Sequence, residues 1–243
     1  MIRIERHQDG FAVSLGDTIV LEHSLSSPLA YAGRGDERID MYRGNFDIED
    51  RLSERVPLSR FDIDDSGDAA CVTLSGGDAG SMSIVLTEEP GRLVVTPSYP
   101  ESAGRNRFWF RLPADPEEAV FGGGEQFSHF DLRGRRFPLW TSEQGVGRNK
   151  RTRVTWEADV ADKAGGDYWW TFFPQATFAS TRHYWLHAEC PAYAAFDFRD
   201  PAFHELEFWA LPERLVFGAG DSMLDLAKGV SGLLGRQPEP PDW

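Results

Sequence analysis

Three carboxylates, Glu125, Asp131 and Glu143, flank a run of three glycines near the middle of the chain. Cleaving a glycosidic bond with retention takes two carboxyl groups about 5 Å apart, one as nucleophile and one as acid. In a loop no spacing rule sets that distance, so these acids are candidates only, and solvated or salt-bridged carboxylates are the plainer reading. His183 and His187 are four apart, a spacing that on a helix places two zinc ligands on one face. They fall on a predicted strand, where a rise of about 3.3 Å per residue separates them by about 13 Å, and no metal is expected. His-Glu-x-x-His, P-loop and Gly-x-Ser-x-Gly patterns are absent from the sequence, and Phe121-Gly122-Gly123-Gly124-Glu125 is not followed by the helix that a dinucleotide fingerprint requires. No cofactor is expected.

What remains is a basic island: Arg133, Arg135, Arg136, Arg148, Lys150, Arg151 and Arg153, with Trp140 among them, in a chain of net charge −14. Arginine forks grip oxyanions in bidentate fashion, and an aromatic face stacks on a sugar ring or a guanidinium, so an anionic carbohydrate suits this surface. Internal pairing with the surplus Asp and Glu is the competing explanation.

The elements that must hold this island read as β-structure. Phe11–Leu15 and Thr18–Glu22 are β-prone runs around Gly16-Asp17, a two-residue hairpin loop. Residues 28–60 are broken by Gly33, Gly35 and Gly44 and give at most one strand near Tyr42–Ile48. Cys71–Leu74, Ser81–Leu86, Arg92–Thr96 and Arg107–Leu112 follow as a four-strand meander with turns at Gly76-Gly77-Asp78 and Glu88–Gly91. Val154–Asp159, Ala176–Ser180, Tyr184–Ala188, Ala194–Phe198, Glu205–Leu211 and Arg214–Gly218 continue the sheet. At Asp221 the period changes: Leu224, Ala227, Val230 and Leu234 recur at helical spacing behind an N-cap at Asp221 or Ser222, giving one closing helix weakened by Gly229 and Gly232.

A chain of 243 residues can bury one large core, and its aromatic content, with many Gly and Pro, favours strands over a helical bundle. The negative charge argues against nucleic acid and anionic membrane as partners. Cys71 and Cys190 lie in apolar runs and are expected as reduced thiols, which, with a charged N-terminus and no bilayer-length apolar run, points to a cytoplasmic protein.

Phe121–Glu125, Arg133-Gly134-Arg135-Arg136-Phe137 and Leu139-Trp140 resemble the glycine-glutamate and loop motif of the N-terminal domain of glycoside hydrolase family 31, the α-glucosidase family. Trp140-Thr141-Ser142-Glu143-Gln144-Gly145-Val146-Gly147-Arg148 is similar to the sulfoquinovosidase branch. Tyr168–Ser180 resembles the family's proline-containing strand before a hairpin. The resemblance implies an all-β fold: an antiparallel β-sandwich, a galactose mutarotase-like supersandwich, with one C-terminal helix. It implies residues 1–220 as the sandwich with a displayed loop over 121–153, a closing helix over 221–235, and a proline-rich linker over 236–243 towards a (β/α)₈ barrel that carries both catalytic aspartates. No catalytic residue is therefore expected in this chain.

By position in the resembled loop, Glu143 and Gln144 are expected to contact substrate or barrel, Trp140 and Gly145 to shape the loop, and Arg136 and Arg148 to act as charge partners. A purely architectural role for all six is the alternative. The family's Asn-x-Asp after the Trp is replaced by Thr141-Ser142-Glu143, which puts a maltose-type contact in doubt and favours a sulfonated sugar. Expected partners are a sugar of the sulfoquinovoside type and the catalytic barrel. A free-standing lectin-like or mutarotase-like sandwich is the other reading; the latter requires a His and a carboxylate facing one sugar on an open sheet.

Overall fold

The structure, a computed structural model, describes residues 2–67, 69–235 and 239. Strands β1 (Ile2–His7), β2 (Gly10–Leu15) and β3 (Thr18–Ser24) form a small antiparallel sheet, with Gly16 at φ 62 in the β2–β3 turn. Next come β4 (Ala30–Tyr42) and β5 (Asn45–Pro57), a hairpin of two 13-residue strands in place of the single strand expected at Tyr42–Ile48. Its turn is Arg43-Gly44, both at positive φ, the twist that matches two-residue hairpins. Most of its outer half is exposed and charged on both faces, so no apolar alternation announces it.

The chain then forms β6 (Arg60–Asp64), β7 (Ala70–Ser75), β8 (Ser81–Glu89) and β9 (Arg92–Ser98), followed by β10 (Arg107–Pro113) and β11 (Val120–Gly124). β12 (Arg136–Leu139) and α1 (Arg153–Asp162) come next, and the chain closes with β13 (Pro174–Ser180), β14 (Tyr184–Glu189), β15 (Ala194–Asp197), β16 (Phe203–Phe208), β17 (Arg214–Ala219) and α2 (Met223–Leu234). Two antiparallel sheets dominate, ordered β12-β15-β16-β10-β4-β5 and β11-β13-β14-β17-β9-β8-β7-β6.

Their inner faces bury one aromatic core. Phe178 packs edge-on against Phe196 (5.8 Å) and Phe198 (5.3 Å), and Phe110 against Phe208 (6.1 Å). Each ring removed from water contributes roughly 1.5–3 kcal/mol, which is the main force joining the layers. A second, smaller core lies outside the eight-stranded sheet, where α2 sets Leu226 on Val94, Trp185 and Val216. Ser222 caps that helix, its hydroxyl accepting the Asp225 N–H at 3.2 Å.

Two expectations need correction. The four-strand meander is β6–β7–β8–β9, not β7–β10: Arg60–Asp64 supplies its first strand, and β10 crosses into the other sheet and pairs with β4 and β16. The connection carries a short 3₁₀ turn and Gly104 at φ 62, which redirects the chain, while alternation along a strand does not say which sheet it joins. Val154–Asp159 is helix α1, not strand. Its apolar residues Val154, Trp156 and Val160 are all exposed and only Thr155 is buried, so the helical period that would have marked it is missing. Lys163, at φ 51, ends it, its N–H bonding the carbonyls of Ala158 and Asp159. The expected linker over 236–243 falls outside the described residues apart from Glu239. No described helix is long and apolar enough to cross a membrane, and Cys71 and Cys190 are free and half-buried.

Candidate functional site

The segment singled out in the sequence is a strap between the two sheets. It leaves β11, the edge of the larger sheet, enters the smaller sheet as β12, also an edge, and continues to α1. The three glycines belong to the edge strand rather than to a free loop. Gly122, Gly123 and Gly124 all have positive φ at a bulge against β13, and a Cβ on Gly122 or Gly124 would overlap the carbonyl of Thr177 or Phe173. Only glycine allows that approach.

Beyond β12 the strap lies flat on the 164–167 segment. Val146 N–H donates to Ala164 O (2.7 Å), and Gly166 N–H donates back to Val146 O (2.9 Å). Gly145 (φ 67) and Gly147 (φ 74) face Gly165 and Gly166, and a Cβ at any of the four would meet backbone or a side chain. A side chain at Gly145 would collide with the carbonyl of Ala164 and the backbone of Gly166. Trp140 is half-buried between Phe46 (5.5 Å) and Tyr193 (5.9 Å). Ser142 O–H and Glu143 N–H both donate to the carbonyl of Gly44, at 3.3 and 3.0 Å, which docks the strap on the β4–β5 turn. The Glu143 side chain is exposed beyond that anchor and Gln144 is half-buried.

The basic island is mostly spent on the protein itself. Arg136 donates to Glu207 (2.8 Å), which also accepts from Trp209 Nε1–H (3.1 Å). Burial works against the Arg136 charge, but Glu207 and Tyr193 beside it raise its pKa above the ordinary value. Arg148 donates to Ser128 Oγ (3.1 Å) and Trp170 O (2.7 Å), and burial lowers its pKa, with Asp167 opposing. Arg133 donates to the carbonyls of Phe198 and Asp200, Lys150 pairs with Asp159 (2.7 Å) and Arg153 with Glu157 (2.6 Å). Most of these cations are thus paired within the chain, Arg136 with Glu207 and Arg148 with Ser128 and Trp170.

The three candidate acids hold to three different neighbours. Asp131 accepts the N–H groups of Val120 (3.1 Å) and Arg133 (3.0 Å) as a turn clamp; the Glu125 backbone bonds Phe173, with its side chain exposed; Glu143 rests on Gly44. His183 lies in the β13–β14 turn at φ 67 rather than on a strand, and His187 bonds Thr177 Oγ1 at 2.7 Å while the neighbouring Glu189 is taken by Arg214. Sequence reasoning passed over a cleft of about 380 Å³ next to the strap, lined by Asn45 and Phe46 of β5, Lys150, Asp159 of α1 and Trp170. Only the Tyr168–Pro174 aromatic run hinted at it.

Residues 20–152 match the glycosyl hydrolase 31 N-terminal galactose mutarotase-like domain. Sulfoquinovosidase from Agrobacterium fabrum is 48% identical over 100% of this chain and 35% of its own length, and sulfoquinovosidase from Escherichia coli K12 is 44% identical over 99% and 36%. Among solved structures, a GH31 family sulfoquinovosidase from E. rectale in complex with the aza-sugar inhibitor IFGSQ superposes with a TM-score of 0.90 at 44% identity, over 99% of this chain and 35% of that one. The chain therefore spans about a third of the length of these relatives. With both sheets, the strap and the matched residues agreeing, this chain belongs to the family of glycosyl hydrolase 31 N-terminal galactose mutarotase-like domains.

Proposed function

We propose that this domain works within a cytoplasmic sulfoquinovosidase-like α-glycoside hydrolase, where it supports a catalytic barrel and lends its strap to the mouth of the active site. The observation that carries this reading is identity of 44–48% across essentially the whole chain with sulfoquinovosidases, the strap included. The whole enzyme would hydrolyse an α-sulfoquinovoside with retention, its nucleophile and acid both on the barrel. The separate placements of Glu125, Asp131 and Glu143 support that division, because none is held against another as a retaining pair needs.

In this reading Glu143 and Gln144 contact the sugar or the barrel rim. Trp140 and Gly145 fix the course of the strap, and Arg136 and Arg148 brace it from behind. Binding energy from such a pre-formed loop requires little ordering on contact. The test is turnover of an α-sulfoquinovoside and of maltose by the isolated chain and by the complete gene product. Hydrolysis of the sulfoquinovoside by the complete product alone is expected. Turnover by the isolated chain, or a preference for maltose, would overturn the reading. Glu143→Ala in the complete product should raise KM or lower kcat/KM by about tenfold, the loss of one charged contact.

A further inference from the structure

The tip of the β4–β5 hairpin and the strap hold each other. The Gly44 carbonyl accepts the Glu143 N–H (3.0 Å) and the Ser142 hydroxyl (3.3 Å), while the Ser142 N–H donates to Thr171 O (3.1 Å). Ser142 and Thr171 are buried, so the strap is pinned on both partners immediately before the exposed side chain of Glu143.

Gly44 closes the hairpin turn at φ 79, and a Cβ built on it would stand 2.7 Å from Glu143 Cγ and 3.7 Å from its Cδ and Oε1. Two carbons do not approach that closely without bonding. The Glu143 side chain therefore lies across the bare face of the glycine, and its course depends on that face staying bare.

A tip that swung freely would steer nothing, but this hairpin is fixed further down. Arg107, 2% exposed, bonds Glu37 of β4 and Asp50 of β5 at 2.8 Å each, and its guanidinium stands 4.2 Å over the Trp209 ring. From Trp209 a row of rings leads back to the tip: Tyr193 at 4.2 Å, then Trp140 of the strap at 5.9 Å, then Phe46 of β5 at 5.5 Å. Hairpin, sheet and strap thus close a ring of packed contacts, through which a shift at the tip is transmitted to the strap.

We propose that Gly44 is a positioning residue: its carbonyl and its bare face set where the Glu143 carboxylate stands at the mouth of the active site. Its effect on turnover rests on the hydrolase reading, whereas the docking itself is a property of this chain.

The experiment compares Gly44→Ala, Glu143→Ala and Gly16→Ala. Gly16 closes the β2–β3 turn at φ 62 with nothing within 4 Å of its Cβ position, so Gly16→Ala carries the backbone strain without the collision. In the complete gene product Gly44→Ala should lower kcat/KM for an α-sulfoquinovoside by about fivefold to tenfold, and Gly16→Ala should leave it unchanged. Both should lower the melting temperature by similar small amounts, which separates strain from positioning. Because Gly44 acts through Glu143, the losses should not add: the double substitution should match Glu143→Ala within about twofold. In the isolated chain, Gly44→Ala should speed amide exchange at position 143 at least about tenfold, and Gly16→Ala should not. Adding Glu143→Ala to Gly44→Ala should restore the protection, since it removes the carbon that the new Cβ meets.

A complete product inactive on the sulfoquinovoside would end the hydrolase reading and leave the exchange rates to decide the docking. Exchange at position 143 indifferent to Gly44→Ala, equal effects of the Gly16 and Gly44 substitutions, or a Gly44→Ala loss that persists in full beside Glu143→Ala would each overturn the proposal.

Discussion

Glu118 is a carboxylate enclosed between the two sheets. It accepts the Ser180 hydroxyl and the Asp115 N–H (3.1 Å), and His204 Nε2 lies 3.0 Å away, with both Glu118 and His204 side chains fully buried. Burial works against its charge, but His204 and Ser180 hold its carboxyl below the usual range. A lowered folded pKa contributes stability that is complete above the unfolded value of about 4.5 and is lost as pH falls through the folded value. Glu118→Ala should therefore cost about 3–5 kcal/mol in denaturant unfolding at neutral pH, and Glu118→Gln should flatten the acid limb below about pH 4.5. His23 acts in a higher window. Its Nδ1 accepts the Leu29 N–H (3.2 Å), so the ring is the tautomer whose Nε2–H donates to Ser59 O (3.0 Å), and its burial against Phe11 lowers its pKa. Because the unfolded ring takes a proton first, stability should begin to fall as pH drops below 6.5, a slope that His23→Gln removes. At this scale the sequence spoke unevenly. The close backbone approach at Gly145 and the ring packing of Trp140 follow from residue type alone, since glycine marks close approach and tryptophan marks packing. The partner of Arg136, Glu207, lies 71 residues away, and nothing in the local spacing separates an arginine braced by such a partner from one waiting for a ligand.

The same unevenness governs the elements, and α2 explains one part of it. Gly229 reads as a weak point in a helix, yet a Cβ there would lie 2.5 Å from Trp185 Nε1, and one on Gly218 would overlap the same indole from the other side. The two glycines form the slot for a side chain only 1% exposed. Gly229→Ala should thus destabilise the chain by about 1–3 kcal/mol through overpacking, despite a gain in helix propensity of about 1 kcal/mol. Gly232→Ala should be neutral or stabilising by up to about 1 kcal/mol, since its Cβ would meet only the tip of Arg92 at 3.4 Å. Paired urea titrations check the opposite signs, and loss of stability in both would refute the slot. β16 was legible from alternation, and β14, β15 and β17 from short apolar runs buried along most of their length. The β4–β5 hairpin and α1 were not, because neither buries an apolar face over most of its length: one is held by its ladder and turn, the other by its ends and the Lys150–Asp159 pair.

At the scale of the whole molecule two opposed surface terms coexist. A groove of about 650 Å³ runs between α2 and the β11–β13 edge, lined by Phe121, Phe173, Met223, Ala227 and Val230. Phe130, 84% exposed, extends it by packing on Phe121 at 4.8 Å. Contiguous exposed apolar surface of this kind favours association, while a net charge of −14 opposes it over about a Debye length, roughly 10 Å at 0.1 M salt. Raising salt should therefore shift the balance towards self-association, visible as a rising weight-average mass in analytical ultracentrifugation, where a surface governed by charge pairs would dissociate instead. Ala227→Asp places a charge inside the groove at an exposed helix position, at a helix-propensity cost of about 0.7 kcal/mol or less. It should abolish both the salt-driven association and most of the fluorescence of a bound apolar dye, whereas Leu52→Asp, on the distant β4–β5 hairpin, should change neither. If the groove is the seat of the rest of a longer protein, as the proposed function requires, the complete gene product should bind little dye even without the substitution. Dye binding equal in the two forms would place that contact on another face of the sandwich.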